Sequence, residues 1–296
     1  MSAVFAQRQS ITTARVHQRA PARSRVVARA GKATQGKGQG DLDVVRLTAS
    51  DGTAAEVYLF GGVVTSFKPK GGDDVLYVRP DAKFDKSKPI SGGLPHCWPQ
   101  FGPGAIQVHG FARNVDWKLV STTDEPPSMT MELTPSDYTR AMWDKDFKVT
   151  ETVTLKDGAL EAVLTVENPG EEAFEFTGSF HTYLAADINK AAVGGLNGCK
   201  TFDRLGESES TVNGDVKFSG PIDSVYYGVP ETLTLATGKR TVTIKSSKAW
   251  TEAVVWTPWT DMPACYEEFA CVESAAVTPV TVAPGTSWTA TTTLSA

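Results

Sequence analysis

The chain has 296 residues, of which 41% are hydrophobic and 21% are charged, as in ordinary globular proteins. This length accommodates one large all-β domain or two domains of average size. No apolar run approaches the ~20 residues that a membrane-spanning helix needs, so we expect no membrane partner. The four cysteines, Cys97, Cys199, Cys265 and Cys271, fit no zinc motif and are too few for a disulfide framework. We therefore expect free thiols.

The net charge of −5 hides two unlike parts of the chain. Residues 1–40 carry eight of the 29 Lys and Arg residues and no acidic residue, which leaves 21 basic against 34 acidic residues beyond them. The rest of the chain is therefore strongly acidic, with a net charge near −13. This charge argues against nucleic acids or anionic membranes as partners.

The N-terminal segment is rich in Arg, Ser, Thr and Ala and lacks the continuous apolar core of a secretory signal. That composition is typical of an organelle transit peptide, and Val26 to Ala30 look like a processing site. A basic tail that binds nucleic acid is the alternative. Weak helical amphipathicity favours a chloroplast over a mitochondrion, so we expect the stroma as the location. Residues 1–40 are thus predicted to be a transit peptide followed by a flexible segment.

From Leu42 onward, short alternating strands follow one another with Asp-Gly and Gly-Gly turns between them. The clearest are 44–48, 55–60, 63–67, 147–155, 160–166, 233–235, 242–244, 280–282 and 288–294. One short helix is predicted near 136–142. There is no repeat period and no linker after residue 40. We therefore predict a single all-β domain over 41–296, built as a large antiparallel β-sandwich.

The segment from Ser91 to Asn114, SGGLPHCWPQFGPGAIQVHGFARN, has the side chains best suited to a sugar pocket. Its density of Gly and Pro indicates a rigid, irregular loop rather than a long helix. Its imidazoles, guanidinium, carboxamide and aromatic rings supply the hydrogen bonds and stacking faces that sugars need. A structural loop with buried aromatic residues fits the composition equally well. The stacking candidates are Trp98, Phe101, Trp256 and Trp259, and His96 is expected to support the loop.

The same segment resembles the aldose 1-epimerase superfamily, in particular its hexose-6-phosphate mutarotase branch. The resemblance rests on GGLPHCWPQFGPG followed by HGFARN, and on three further blocks in the same order. These blocks are Ser179–Leu205, Pro221–Tyr227, and 254–259 together with 270–277. The match spans residues 42–296. It implies a galactose mutarotase-like β-supersandwich whose pocket lies on an open face of the sheet.

Anomers of a hexose interconvert by opening and reclosing the ring. One group must deliver a proton to the ring oxygen while another removes a proton from the anomeric hydroxyl. A positioned acid and base each contribute typically ~10²–10⁴-fold, without a metal or redox cofactor. Histidine and a carboxylate suit these roles near neutral pH. We therefore expect no cofactor, no metal site, and a sugar or sugar phosphate as the ligand of a monomer.

The resemblance implies that His181 is the general acid and Glu273 the general base. His181 follows the strand 174–180, and a hydrogen-bonded core histidine is the alternative for a lone imidazole there. Glu273 lies inside an apolar strand, where a carboxylate is costly to bury without a partner; a salt-bridged strand residue is its alternative. The substrate-binding candidates are His109, Arg113, Asp223 and, more weakly, Gln100.

Two positions depart from the phosphate-using branch. Ser91 stands where an Arg often precedes the Gly-Gly run, and Val108 stands where Gln often precedes the His of HGFAR. A serine side chain cannot form the bidentate, charge-assisted hydrogen bonds that an arginine makes to phosphate. We count both positions as part of the substrate-binding region. These two departures leave the expected acid–base pair unchanged, so mutarotase activity is still expected. They weaken the expectation that the enzyme prefers a 6-phosphorylated sugar.

The main prediction is an isomerase that interconverts the α and β anomers of a hexose 6-phosphate, with glucose 6-phosphate the first candidate. Three alternatives remain open. The protein could be a non-catalytic sugar- or sugar-phosphate-binding protein of the same fold, or a 1-epimerase of unphosphorylated aldoses. It could also be a glycoside hydrolase, with Asp223 and Glu273 as its two carboxylates.

Overall fold

The structure is a computed structural model that describes residues 1–2 and 30–296. The first strands are β1 (Lys32–Lys37), β2 (Asp43–Thr48), β3 (Ala54–Tyr58), β4 (Val63–Lys68), β5 (His96–Cys97), β6 (Lys118–Asp124), β7 (Pro127–Leu133), β8 (Lys148–Lys156), β9 (Ala159–Glu167), β10 (Phe174–Phe180) and β11 (Tyr183–Ala185). The others are β12 (Ala192–Gly194), β13 (Lys200–Asp203), β14 (Ser208–Thr211), β15 (Val216–Lys217), β16 (Ile222–Tyr227), β17 (Thr232–Ala236), β18 (Thr241–Ser246), β19 (Glu252–Thr257), β20 (Phe269–Val282) and β21 (Ser287–Ser295).

One short α-helix, α1 (Asp137–Arg140), begins at the N-cap Ser136, whose side chain accepts a hydrogen bond from the Thr139 N–H. It confirms the helix predicted near this position. Within residues 30–296, 3₁₀ turns cover Gln39–Asp41, Ala112–Asn114, Trp259–Asp261 and Tyr266–Glu268. No helix in the described part of the chain is long and apolar enough to cross a membrane.

The named strands form three antiparallel sheets. A four-stranded sheet has the order β1-β2-β3-β4. An eight-stranded sheet runs β14-β13-β16-β19-β20-β10-β5, with β11 also paired to β20. A nine-stranded sheet runs β15-β12-β17-β18-β21-β9-β8-β7-β6. The predicted all-β class with antiparallel sheets is therefore confirmed.

The two faces of the eight-stranded sheet have different neighbours, because successive side chains of a strand point to opposite sides. On β20, Val272 and Ala276 join the main hydrophobic core, which also contains residues of the nine-stranded sheet. Cys271 and Ala275 belong instead to smaller apolar clusters on the other face. Glu273 has the same parity as these two residues. The sequence alternation thus places its carboxylate on the face that points away from the main core.

A buried polar pair connects the sheets. His96 of β5 and Glu151 of β8 are both almost fully buried, and the His96 Nε2 lies 3.1 Å from Glu151 Oε2 and 3.0 Å from the carbonyl oxygen of Gly62. Since a carbonyl oxygen only accepts, Nε2 carries the proton. The His96 ring also stacks on Trp117. The prediction that His96 supports the loop is confirmed.

The folded domain starts before residue 41. Strand β1 pairs with β2 along its whole length, and the Ala33 N–H donates to Asp124 Oδ1. The expectation of a flexible segment up to residue 40 is therefore wrong for 32–40, since backbone hydrogen bonds fix a polar sequence that resembles a linker. The predicted transit peptide falls mostly on 3–29, which lie outside the described residues.

Candidate active site

A cavity of about 240 Å³ lies on the outer face of the eight-stranded sheet. A larger cavity of about 620 Å³ lies elsewhere in the described structure, but no histidine lines it. The smaller cavity is lined by Arg79, Phe101, His109, Arg113, His181, Tyr183, Arg204, Asp223, Val254, Trp256, Met262 and Glu273. It therefore contains both predicted catalytic residues together with three of the predicted substrate-binding residues.

His181 and Glu273 are neighbours in this cavity. His181 Nδ1 lies 3.3 Å from Glu273 Oε1, and the other carboxylate oxygen accepts a 2.6 Å hydrogen bond from the Ser179 hydroxyl. The backbone N–H of His181 donates to the Pro95 carbonyl, and the imidazole ring stacks on Tyr183. The contact between His181 and Glu273 is within ion-pair distance but lacks hydrogen-bond geometry, and Nδ1 has no hydrogen-bond partner among the described residues. Since Nδ1 faces the carboxylate, Nε2 is the nitrogen that remains for a ligand. The two side chains form a preorganised acid–base pair.

Burial disfavours the charged forms of both groups. It raises the pKa of Glu273 to about 8, against smaller lowering effects of the Ser179 hydrogen bond and the Arg204 charge. It lowers the pKa of His181 well below its usual value, and His109 and Arg113 add to that effect. A neutral imidazole beside a protonated carboxyl holds the same number of protons as an imidazolium beside a carboxylate. The pair therefore carries one transferable proton at neutral pH.

His109 is held in a single orientation by two hydrogen bonds to Gly102. The backbone N–H of His109 donates to the Gly102 carbonyl, and its ring Nδ1 accepts from the backbone N–H of Gly102 at 3.1 Å. Burial, with Arg113 and Arg204, lowers the pKa of His109 to about 4, so the ring is neutral. Because Nδ1 accepts, the proton is on Nε2, which can donate to a ligand oxygen. His109 also has a left-handed backbone, with φ of 66°.

Three arginines line the cavity. Arg113 lies in the 3₁₀ turn Ala112–Asn114, and its Nη2 donates to the Val108 carbonyl. Its Nε is buried without a hydrogen-bond partner among the described residues. Arg204 lies 3.4 Å from Asp223 and stacks over the Phe101 ring at 4.8 Å. Arg79 forms a bidentate pair with Asp81. An anionic ligand is the natural complement of such a cavity.

Asp223 of β16 is half-buried beside Arg204. Burial raises the pKa of its carboxyl, and the Arg204 charge opposes that effect. The Arg204 N–H also donates to the Asp223 carbonyl oxygen, so the two residues are joined through backbone and side chain. This arrangement suits a hydrogen-bond acceptor for sugar hydroxyls rather than a group that transfers protons.

Three predicted substrate-binding positions lie outside the cavity lining. The carboxamide of Gln100 bonds backbone groups of its own loop, including both the N–H and the carbonyl of Ile106, so it braces the loop. The side chain of Val108 is 52% exposed, and only its carbonyl takes part by holding Arg113. Ser91 bonds through its carbonyl to the Arg79 N–H. These three side chains do not line the cavity, and their contact with the substrate stays a prediction.

Among the stacking candidates, Phe101 and Trp256 line the cavity, whereas Trp98 is buried in the main core and Trp259 lies elsewhere. Sequence reasoning missed Arg79, Tyr183, Arg204 and Met262. Arg204 lies inside the second resemblance block, which was a usable signal. Arg79 has no such signal, because an arginine before proline in a turn is ordinary. Within the described residues, no group of three or more His, Cys, Asp or Glu is arranged to hold a metal ion.

Known proteins resemble this chain in both sequence and fold. The sequence model of the family described as aldose 1-epimerase matches residues 43–295. The chain belongs to the aldose 1-epimerase family. A protein from Cenchrus ciliaris, provisionally named glucose-6-phosphate 1-epimerase, is 32% identical over 83% of this chain and 82% of its own length. A protein of Escherichia coli K12 with the same provisional name is 32% identical over 75% of this chain and 79% of its own.

A solved structure from Salmonella typhimurium, provisionally described as a mutarotase, has the same fold. Its TM-score is 0.79 at 26% identity, and the alignment covers 90% of this chain and 93% of the other. The predicted membership in the aldose 1-epimerase family, the isomerase class and the mutarotase-like β-sandwich are therefore confirmed. All four cysteines are free and buried, as expected.

Proposed function

We propose that this member of the aldose 1-epimerase family interconverts the α and β anomers of a hexose 6-phosphate, most simply glucose 6-phosphate. The observation that carries the proposal is the His181–Glu273 pair, placed 3.3 Å apart in a cavity that three arginines line. The pair supplies the chemistry of ring opening, and the arginines supply charge-assisted hydrogen bonds to the sugar ring and a site for a phosphate dianion. The provisional names of two relatives indicate the same substrate.

In the proposed reaction, the two side chains first close to hydrogen-bonding geometry, and the Glu273 proton passes from Oε1 to His181 Nδ1. Glu273 then removes the proton of the anomeric hydroxyl while His181 Nε2 donates a proton to the ring oxygen. The bond between the anomeric carbon and the ring oxygen breaks, which leaves an aldehyde and a free hydroxyl. Rotation about the neighbouring carbon–carbon bond presents the other face. The same groups return their protons as the ring closes, so no proton is gained or lost.

The cavity also argues against the alternatives. A hydrolase would need two carboxylates across the scissile bond, but Asp223 pairs with Arg204 and Glu273 faces a histidine. A binding protein would have no use for two buried titratable groups whose charged forms burial disfavours, since each is costly to maintain. An enzyme restricted to unphosphorylated aldoses would have no use for an arginine beyond those that contact the sugar ring, whereas three arginines line this cavity.

The proposal is tested by measuring anomer interconversion with glucose 6-phosphate and glucose side by side. Freshly dissolved α anomers are followed by polarimetry or by a coupled enzyme specific for the β anomer, with the spontaneous rate subtracted. We expect a higher kcat/KM for the phosphorylated sugar. Equal acceleration of both sugars would indicate a general aldose 1-epimerase, and acceleration of neither would indicate a binding protein.

The pH dependence follows from the pair. Because burial raises the pKa of Glu273 to about 8, the shared proton is present below that pH and is lost above it. We expect kcat/KM for glucose 6-phosphate to be highest near pH ~7, where the substrate phosphate is already ionised, to have dropped to about half near pH 8, and to keep falling above it. Initial rates from pH 7 to 10 check this, and a kcat/KM that keeps rising through pH 9 would contradict it.

We also propose that the protein acts in the chloroplast stroma after removal of an N-terminal transit peptide. The acid-free, Arg-rich composition of the first 30 residues supports this. N-terminal sequencing of the protein isolated from its native source should find a start between about residue 27 and Lys32, where β1 begins. An intact Met1 or a cytosolic location would refute the targeting. Its monomeric state stays a prediction.

A further inference from the structure

We propose that Arg79 is the residue that binds the 6-phosphate and thereby confers preference for phosphorylated hexoses, in place of the arginine that position 91 lacks. This inference rests on the proposed function. Arg79 carries no assigned role in the sequence motifs, which are all centred on other segments. Four observations, on its position, its side chain, its ion pair and the other arginines, support the assignment.

Arg79 and Ser91 lie opposite each other on two adjacent chain segments. Val78 and Gly92 form an antiparallel bridge, and the Arg79 N–H donates to the Ser91 carbonyl at 3.0 Å. Directly opposite residues of an antiparallel pair place their side chains on the same face. A guanidinium attached at position 79 therefore starts next to one that would be attached at position 91. The small Ser91 side chain leaves that space to Arg79.

The Arg79 side chain reaches the cavity. It is among the lining residues, and its side chain is only 18% exposed. Its Nε and Nη2 donate to the two carboxylate oxygens of Asp81 at 2.9 and 2.7 Å. These two contacts fix the plane of the guanidinium, because a bidentate pair restricts rotation. Nη1 is left for a ligand, while Asp81, which is 62% exposed, faces solvent.

The other two arginines serve the sugar end of the cavity. Arg204 bonds Asp223, and Arg113 bonds the Val108 carbonyl next to His109. Although burial dominates the pKa values of Glu273 and His181, the charges of Arg113 and Arg204 act on both groups. The charge of Arg79 acts on Cys265 and Cys271 and, together with that of Arg113, on Tyr183.

This division matches the geometry of the substrate. The anomeric carbon and ring oxygen must lie at the His181–Glu273 pair, whereas the phosphate extends from the ring on C6. A guanidinium that lines the same cavity but is held by Asp81, and not by Asp223 or the loop before His109 as the other two are, is placed for the phosphate. The other two guanidinium groups are placed to contact the ring hydroxyls.

The test compares KM and kcat for glucose 6-phosphate and glucose in four variants. Arg79→Ser removes the group, Arg79→Lys keeps the charge without the fork, and Arg79→Ser with Ser91→Arg moves the guanidinium across the pair. Arg46→Ser is the matched control, because Arg46 is also ion-paired to a carboxylate but lies on β2, away from the cavity. Thermal unfolding shows whether each variant is folded.

We expect Arg79→Ser to raise KM for glucose 6-phosphate by roughly ten- to hundredfold, as for a lost charge-assisted contact. Its kinetics with glucose and the Arg46→Ser kinetics with both sugars should stay within about twofold of wild type. Adding Ser91→Arg should restore most of the lost affinity. Equal effects of Arg79→Ser on both sugars, or no effect on either, would overturn the assignment. A wild-type protein inactive on glucose 6-phosphate would instead overturn the proposed function.

Discussion

We expect His181→Asn and Glu273→Gln each to lower kcat for anomer interconversion by at least ~10²-fold, because each variant removes one of two proton-transfer groups. Both substitutions are close in shape, and the carboxamide oxygen introduced by Glu273→Gln can still accept the hydrogen bond from Ser179. The double variant should be little slower than either single variant, since the two groups act as a unit. Kinetic assays with glucose 6-phosphate measure all three.

Circular dichroism and thermal unfolding serve as controls for folding in these variants. Ser179→Ala is the matched variant beside the pair, because it removes only the hydrogen bond to the carboxylate and leaves both titratable groups. We expect it to retain more activity than Glu273→Gln. Near-wild-type turnover in a well-folded His181→Asn or Glu273→Gln protein would refute the assigned roles.

The largest effect on stability is expected at the buried pair that connects the sheets. His96→Phe keeps the stacking ring beside Trp117 but removes the partner of Glu151, whose pKa burial already raises. Breaking a buried pair on one side costs about 3–5 kcal/mol, since the remaining polar group stays buried without a partner. Denaturant unfolding of wild type and His96→Phe measures this loss of unfolding free energy.

A double variant shows whether the stability lost in His96→Phe comes from the unpaired Glu151 carboxyl. In His96→Phe with Glu151→Leu, both partners are apolar and of similar size, and such replacements are often neutral. We expect it to recover most of the stability lost in His96→Phe. If the double variant is as unstable as the single one, the loss comes from packing around Trp117 rather than from the unpaired carboxyl.

The sequence could predict elements whose side chains alternate. Strands β8 and β9 were evident because each is buried at every second position. Strand β20 was predicted in two pieces, because its first eight residues are buried on both faces and show no alternation. Strand β1, KATQGK, was missed because its side chains are almost all exposed.

The site was predictable where chemistry conflicts with local environment. Glu273 stood out as a carboxylate in an apolar strand, and its position opposite His181 confirms that the two belong to one site. Arg79 could not be placed, because an arginine in a turn gives no sign of which face of the sheet the turn covers. Arg204 lies within the second resemblance block but was not singled out there. Only the pairing of Val78 with Gly92, and of β13 with β16, brings them to the cavity.

The most direct test of the acid–base account is exchange NMR of glucose 6-phosphate at anomeric equilibrium, recorded at about pH 7.5, inside the window in which the pair keeps its proton, with no added metal or nucleotide. It measures the rate at which α and β anomers interconvert without a coupling enzyme. We predict rapid exchange with wild-type protein, and exchange no faster than in buffer with the His181→Asn, Glu273→Gln double variant. Exchange in the double variant as fast as in wild type would contradict the account.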